Sequence, residues 1–237
     1  MIPPKLEQWL GIAVVRDDLF PGGTKARWMP AIFEGTDEVV YASPPEGGAQ
    51  IALAATAARL GKKATIFTAK RGRPHARTWQ AKELGARVLQ VAPGYMTLIQ
   101  KRARIYAERQ GARLAPFGFD LEEIIEAIGA AAKLIDFDPE EVWCAAGSGV
   151  LMRGLARAWP RARRHAVQIG HRLTPENVDH ARLWIHPLPF QAACGTVPPF
   201  PADPHYDAKA WEICIRQRGA GRVLFWNVIA PPPKGFA

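Results

Sequence analysis

A chain of 237 residues with 48% apolar and 22% charged residues and no long apolar run has a globular composition, which excludes disorder, collagen-like repeats and a membrane-spanning helix. Thirty-one Lys and Arg against 22 Asp and Glu leave a net charge of +9, which suits phosphates, nucleic acid or small anions without choosing among them. Three cysteines (Cys144, Cys194, Cys214), odd in number and without C-x-x-C spacing, argue against a disulfide framework and against a structural zinc site; no metal is expected.

Taken in chain order, β-branched runs predict strands at 12–16, 38–42, 64–68, 87–91, 141–145, 165–169 and 223–226. Between them, alanine-rich stretches bounded by Gly, Pro or Asp predict helices at 48–60, 73–84, 97–110, 121–134, 150–159 and 208–218. The alternation implies an α/β fold, a twisted and mostly parallel sheet flanked by helices. Residues 38–91, two β-α-β stretches, are expected as a smaller α/β subdomain inserted into a larger domain of 1–37 and 92–237. The Pro-rich segment 174–204 reads as an irregular loop. The first residues hold no apolar segment of secretory length, so a cytoplasmic location without a membrane is expected.

Three strand-to-helix junctions carry chemistry. In the first, Gly22 and Gly23 turn the chain and Lys25 opens a helix, where the positive end of the helix dipole disfavours the ammonium form and suits imine formation with a carbonyl cofactor. In the second, an apolar strand runs into Gly147-Ser148-Gly149, an arrangement of free backbone N–H groups and a hydroxyl that suits a phosphate. It lacks the third glycine of a dinucleotide loop, the Lys of a phosphate-clamping loop and the first glycine of a serine-nucleophile elbow. In the third, Gly47, Gly48, Ala49 and Gln50 would present N–H groups to a carboxylate. Taken alone, the first also reads as a solvated lysine after a turn, and the other two as plain turns.

Together and in this order, Arg16-Asp17-Asp18-Leu19, Gly22-Gly23-Thr24-Lys25-Ala26-Arg27 and Gly147-Ser148-Gly149 resemble the fold-type II pyridoxal-phosphate enzymes, the tryptophan synthase β-like superfamily. Within it, the likeness is to the aminocyclopropane-carboxylate deaminase and D-cysteine desulfhydrase group. Leu60-Gly61-Lys62 and Leu84-Gly85-Ala86-Arg87-Val88 resemble turns of the superfamily's small domain. The resemblance implies pyridoxal 5'-phosphate as cofactor, joined to Lys25 as the internal aldimine, with its phosphate on Gly147, Ser148 and Gly149. It further implies that Gly47, Gly48, Ala49 and Gln50 meet the substrate, that Tyr206 faces it, and that the last strand serves the pyridine nitrogen. The family's Ser and Asn are replaced near Gly47 and Gly48. Its Ser or Thr on the last strand is replaced by Asn227, a neutral partner that would leave the nitrogen largely unprotonated.

The expected activity is a lyase-type elimination, deamination or decarboxylation at the α-carbon of an amino acid, by a homodimer. Two alternatives stand beside it. The amino acid could be attached to a DNA base, as the net charge and the cluster Arg153, Arg157, Arg161, Arg163 and Arg164 suggest, with Trp28, Trp211 and Trp226 available to line a pocket or stack a base. The other alternative is a non-catalytic pyridoxal-phosphate-binding protein.

Overall fold

The computed structural model describes residues 3–92 and 94–232, which divide into two compact units. One consists of residues 3–20 and 120–231, the other mainly of Pro21–Phe119.

The larger unit is built on a six-stranded sheet. Its strands are β1 (Leu6–Trp9), β2 (Ile12–Arg16), β7 (Glu141–Ala146), β8 (Arg163–Gln168), β9 (Arg182–Ile185) and β10 (Val223–Asn227), in the spatial order β1-β2-β10-β7-β8-β9. β1 joins β2 as an antiparallel hairpin and all other pairs are parallel. Every residue of β2, β7 and β10 is buried, the pattern of central parallel strands covered on both faces. The covering helices are α5 (Glu122–Ala132), α6 (Val150–Ala158) and α7 (Asp207–Gln217). α5 and α6 pack so closely that a Cβ on Gly154 would sit 2.3 Å from Ile128. Between α7 and the sheet, Trp211 meets Phe225 and Phe200 edge-on at 5.2 and 4.9 Å.

The smaller unit holds a four-stranded, all-parallel sheet of β3 (Glu38–Ala42), β4 (Lys63–Ala69), β5 (Arg87–Val91) and β6 (Arg113–Ala115), ordered β5-β4-β3-β6. Its helices are α1 (Met29–Ile32), α2 (Ala49–Leu60), α3 (Ala76–Glu83) and α4 (Met96–Gln110). The alanine-rich first part of α2 is buried over Ala49–Ala54, Thr56 and Ala57, while its last turn is exposed.

The predicted strands and helices are all present, and the α/β class with mostly parallel sheets holds. Three strands escaped the sequence: β1 and β9 are four-residue edge strands without full burial, and β6 has three residues. The smaller unit also reaches further than the expected 38–91. α4 packs on β3 and β4, and β6 pairs with β3, so the stretch up to Phe119 belongs with that sheet, as does the turn carrying Lys25.

Buried His165 lies flat against Trp143, centroids 4.0 Å apart at 5°, and its Nδ1 accepts a hydrogen bond from Trp184 Nε1 at 3.1 Å. Burial lowers its pKa from 6.5 to about 4, so the folded protein keeps the ring neutral where the unfolded chain would protonate it. The unfolded state therefore binds more protons between those values, and stability falls as pH drops from 6.5 toward 4. Urea midpoints measured across that range should show a weaker pH dependence in His165→Phe than in the parent.

Candidate active site

The residues singled out from the sequence fall in both units. In the smaller unit, Lys25 lies in a single 3-10 turn, Gly23–Arg27, entered through two left-handed residues, Gly22 (φ 82°) and Gly23 (φ 71°). Gly22 is irreplaceable for a second reason, since a Cβ there would fall 2.2 Å from the backbone nitrogen of Ala52. The lysine turn is thereby pressed onto α2, the helix that begins directly after Gly47 and Gly48.

That glycine loop is braced from within. Buried Ser43 donates through Oγ to Pro44 O at 2.9 Å, the Gly47 amide donates to the same carbonyl at 2.9 Å, and Gln50 Nε2 donates to Pro45 O at 2.8 Å. Gln50 is fully buried, and its Oε1 has no hydrogen-bond partner among the described residues. The sequence reading passed over Ser43 because the serine lies at the start of the loop, ahead of the glycines.

In the larger unit, β7 ends in Gly147-Ser148-Gly149, and Gly149 caps α6 with φ 84°. The first-turn N–H groups of α6 have no helical acceptor, the condition under which a helix start can take an anion. Gly149 cannot carry a side chain, because its Cβ would fall 1.9 Å from Asn177 O. The constraint at this position is protein packing, whatever binds the loop. Half-buried Tyr206 lies behind the loop: its hydroxyl donates to Ala145 O at 3.4 Å and would be 3.2 Å from a Cβ on Gly147, and burial raises its pKa.

Asn227 ends β10, and the register pairing Trp226 with Cys144 puts it level with Ala145, just short of the glycine loop on the adjacent strand. Its Nδ2 donates to Asp18 Oδ1 and to Pro201 O, both at 2.8 Å. Both partners are acceptors, which fixes the amide orientation and leaves Oδ1 buried with no partner among the described residues. Asp18 in turn takes a two-pronged bond from Arg16, Nε and Nη2 each at 2.8 Å, while Arg16 also pairs with Glu7. Asp17 accepts from Trp226 Nε1 at 3.0 Å. The Arg-Asp-Asp motif thus ties the end of β2 to the end of β10.

The profile of the family described as pyridoxal-phosphate dependent enzyme matches residues 17–182. The chain belongs to that family. Pyridoxal phosphate is the cofactor of this domain. Similar folds occur in an aminocyclopropane-carboxylate deaminase homologue, with TM-score 0.80 and 14% identity over 96% of this chain and 89% of that one. They occur too in the processed threonine deaminase isoform 2 of Solanum lycopersicum (TM-score 0.74, 17% identity, 98% and 80% covered) and in an O-ureido-L-serine synthase (0.73, 16%, 97% and 89%). No curated protein matches the chain by sequence.

For a pyridoxal-phosphate family member, the carboxyl edge of the larger sheet fits the cofactor. A donor cradle and an orphaned buried acceptor stand on neighbouring strands, roughly 4.8 Å apart, suited to the anionic and ring ends of one small molecule.

Several other expectations change. Trp28, Trp211 and Trp226 are buried core residues, with Trp226 held by Asp17, and do not offer faces to a base. Of the five clustered arginines, Arg153 pairs with Asp120, Arg157 with Glu122, Arg163 with Glu141 at 2.6 Å and Arg164 with Asp179 at 3.0 Å. The acids come from α5 and the residue two before it, from β7 and from a distant turn, so four of the five arginines are neutralised by partners invisible in the local sequence. Lys209 is fully buried, and burial lowers its pKa, but its Nζ donates to Pro189 O at 2.6 Å and so anchors the Pro-rich segment. His186, Cys194 and Glu212 bring donor atoms within 4.8 Å of one another. The Leu188 amide donates to His186 Nδ1 and Glu212 accepts from Cys194 and Thr196, so the group braces the same segment onto α7.

Removing Asp18 would leave the buried Arg16 guanidinium with Glu7 as its one remaining carboxylate among the described residues and would strand one donor of Asn227. Asp18→Ala should lose about 3–5 kcal/mol in urea unfolding, whereas Asp138→Ala, breaking the exposed pair with Arg222, should lose about 1 kcal/mol or less.

Proposed function

We propose that the protein is a lyase or deaminase acting at the α-carbon of an amino acid. The observation supporting this most directly is the orphaned Oδ1 of Asn227 beside the glycine cradle of β7 and α6. When bound, pyridoxal phosphate supplies an electron sink for charge developing at the substrate α-carbon. Lys25 would hold the cofactor at its carbonyl carbon, and its amine, when free, would take or return the proton at the substrate α-carbon. Gly147, Ser148 and Gly149 hold the phosphate through backbone N–H groups and the serine hydroxyl. Asn227 Oδ1 can only accept, so it favours a protonated ring nitrogen, the reverse of what a neutral side chain suggested from sequence. N–H groups at the start of α2, in the Gly47–Gln50 loop, orient the substrate carboxylate, and Tyr206 steadies the cradle from behind.

A substrate attached to nucleic acid is the second reading. The observation favouring it is the distribution of charge: residues 21–119 hold 16 Lys and Arg against 6 Asp and Glu, while the rest of the chain holds 15 against 16. Turnover of free amino acids without turnover of amino-acid-modified duplex DNA selects the first reading, the reverse selects the second, and cofactor binding without either leaves a binding protein.

Borohydride reduction of the loaded protein followed by peptide mapping should tag Lys25, and Lys25→Ala should lose the visible absorption of covalently held pyridoxal phosphate. A tag on Lys209 or Lys63 overturns the assignment. Ser148→Ala should weaken pyridoxal phosphate about tenfold, the loss of one hydrogen bond to a charged group, with an unchanged unfolding midpoint. Unchanged affinity places the phosphate elsewhere.

A further inference from the structure

The smaller unit contains a cavity of about 340 Å³ between α4 and the carboxyl ends of β3 and β6, where Ala42 and Ala115 finish the two strands. This is the switch point of the sheet. From β3 the chain passes through α2 to β4 and on to β5, and α4 then carries it back to β6 on the opposite side of β3. The loops after β3 and β6 therefore diverge, and such crevices are where open α/β sheets take ligands.

The lining is all donors and apolar wall. Lys101 and Arg104, one turn apart on α4, flank the cavity with Thr97 and Gln100, Phe117 contributes an aromatic wall, and no lining residue is acidic. Both cations are exposed, and neither has an ion-pair partner among the described residues. This sets them apart from the arginines of the larger unit, four of which are neutralised. They also sit in the unit that carries the positive surplus of the whole chain, so its field favours anions at this mouth.

We propose that the switch-point cavity of the smaller unit binds a phosphate group, with Lys101 and Arg104 pairing the anion, Thr97 and Gln100 donating to its remaining oxygens, and Phe117 walling the organic group that carries it. A carboxylate would need one forked partner. Two cations and two neutral donors match the larger charge and oxygen count of a phosphate. The site shares no residue with the Gly147–Gly149 cradle and does not depend on the chemistry proposed for Lys25.

The test is calorimetric titration of the purified protein, carrying its covalently held cofactor and freed of excess, with inorganic phosphate, with O-phosphoserine and with a single-stranded oligothymidylate. Lys101→Ala/Arg104→Ala should weaken inorganic phosphate at least about tenfold. Arg102→Ala/Arg109→Ala, which removes the same charge from exposed positions of α4, should not. Circular dichroism confirms that both variants fold.

Two results support the site and distinguish its source. If the oligothymidylate also depends on Lys101 and Arg104, with its logarithmic salt slope falling by roughly 1.4 in the double variant, the phosphate belongs to a nucleic-acid strand. If only the two small probes depend on them, it belongs to a phosphorylated small molecule. Phosphate binding equal in the double variant and the parent, or absent from the parent, overturns the proposal. The visible absorption of the same samples reports separately on the Lys25 reading, so either can fail alone.

Discussion

The buried guanidinium of Arg16 is the constraint on which the carboxyl edge of the larger unit depends. It occupies the last position of β2, grips Asp18 with two nitrogens and reaches back to Glu7 on β1. Asp18 passes the tie to Asn227 at the end of β10, and Asp17 does the same for Trp226. A buried ion pair of this kind adds little net stability over apolar packing, yet it is costly to break and it specifies orientation. Here the orientation is that of one amide, whose nitrogen is used up by protein acceptors and whose oxygen is left over. Burying that acceptor is unfavourable for the protein by itself, so a donor-bearing ligand is what makes the arrangement reasonable.

The same economy recurs at the glycine loops. The loops at Gly47 and Gly147 stand where a parallel strand gives way to a helix, so each offers backbone donors on the edge where α/β sheets bind ligands. The glycines themselves serve different ends. Gly22 permits close packing on Ala52 and Gly149 close packing on Asn177, both with left-handed backbone, whereas Gly48 has ordinary helical angles and needs no glycine for its conformation. A glycine-rich loop therefore marks tight packing as much as ligand approach.

Charge is divided as unevenly as the fold. In the larger unit the clustered arginines of α6 and β8 meet Asp120, Glu122 of α5, Glu141 of β7 and Asp179, leaving that unit near neutrality. In the smaller unit few acids are present to do this, and the basic side chains of α4 stay available. The net charge of the chain is thus a property of one unit, and an anionic ligand is steered there.

Hydrophobic periodicity is a local signal, and it sufficed for the α/β class, for strands such as Ile12–Arg16 and Arg87–Val91, and for the strand-to-helix junctions at Gly47 and Gly147, whereas Lys25 lies within a 3-10 turn instead of opening a helix. Local motifs likewise carried the family, whose matched span begins at Asp17 inside the Arg-Asp-Asp motif. What the sequence left open was long-range. Asn227 and Asp18 meet across 209 positions, Arg153 and Asp120 across 33, and the cavity lined by Lys101 joins a helix to two strands brought side by side only by sheet order. Which polar atom is left without a partner, and which cation is left without an acid, are sums over all neighbours in space. Only the tertiary structure decides them.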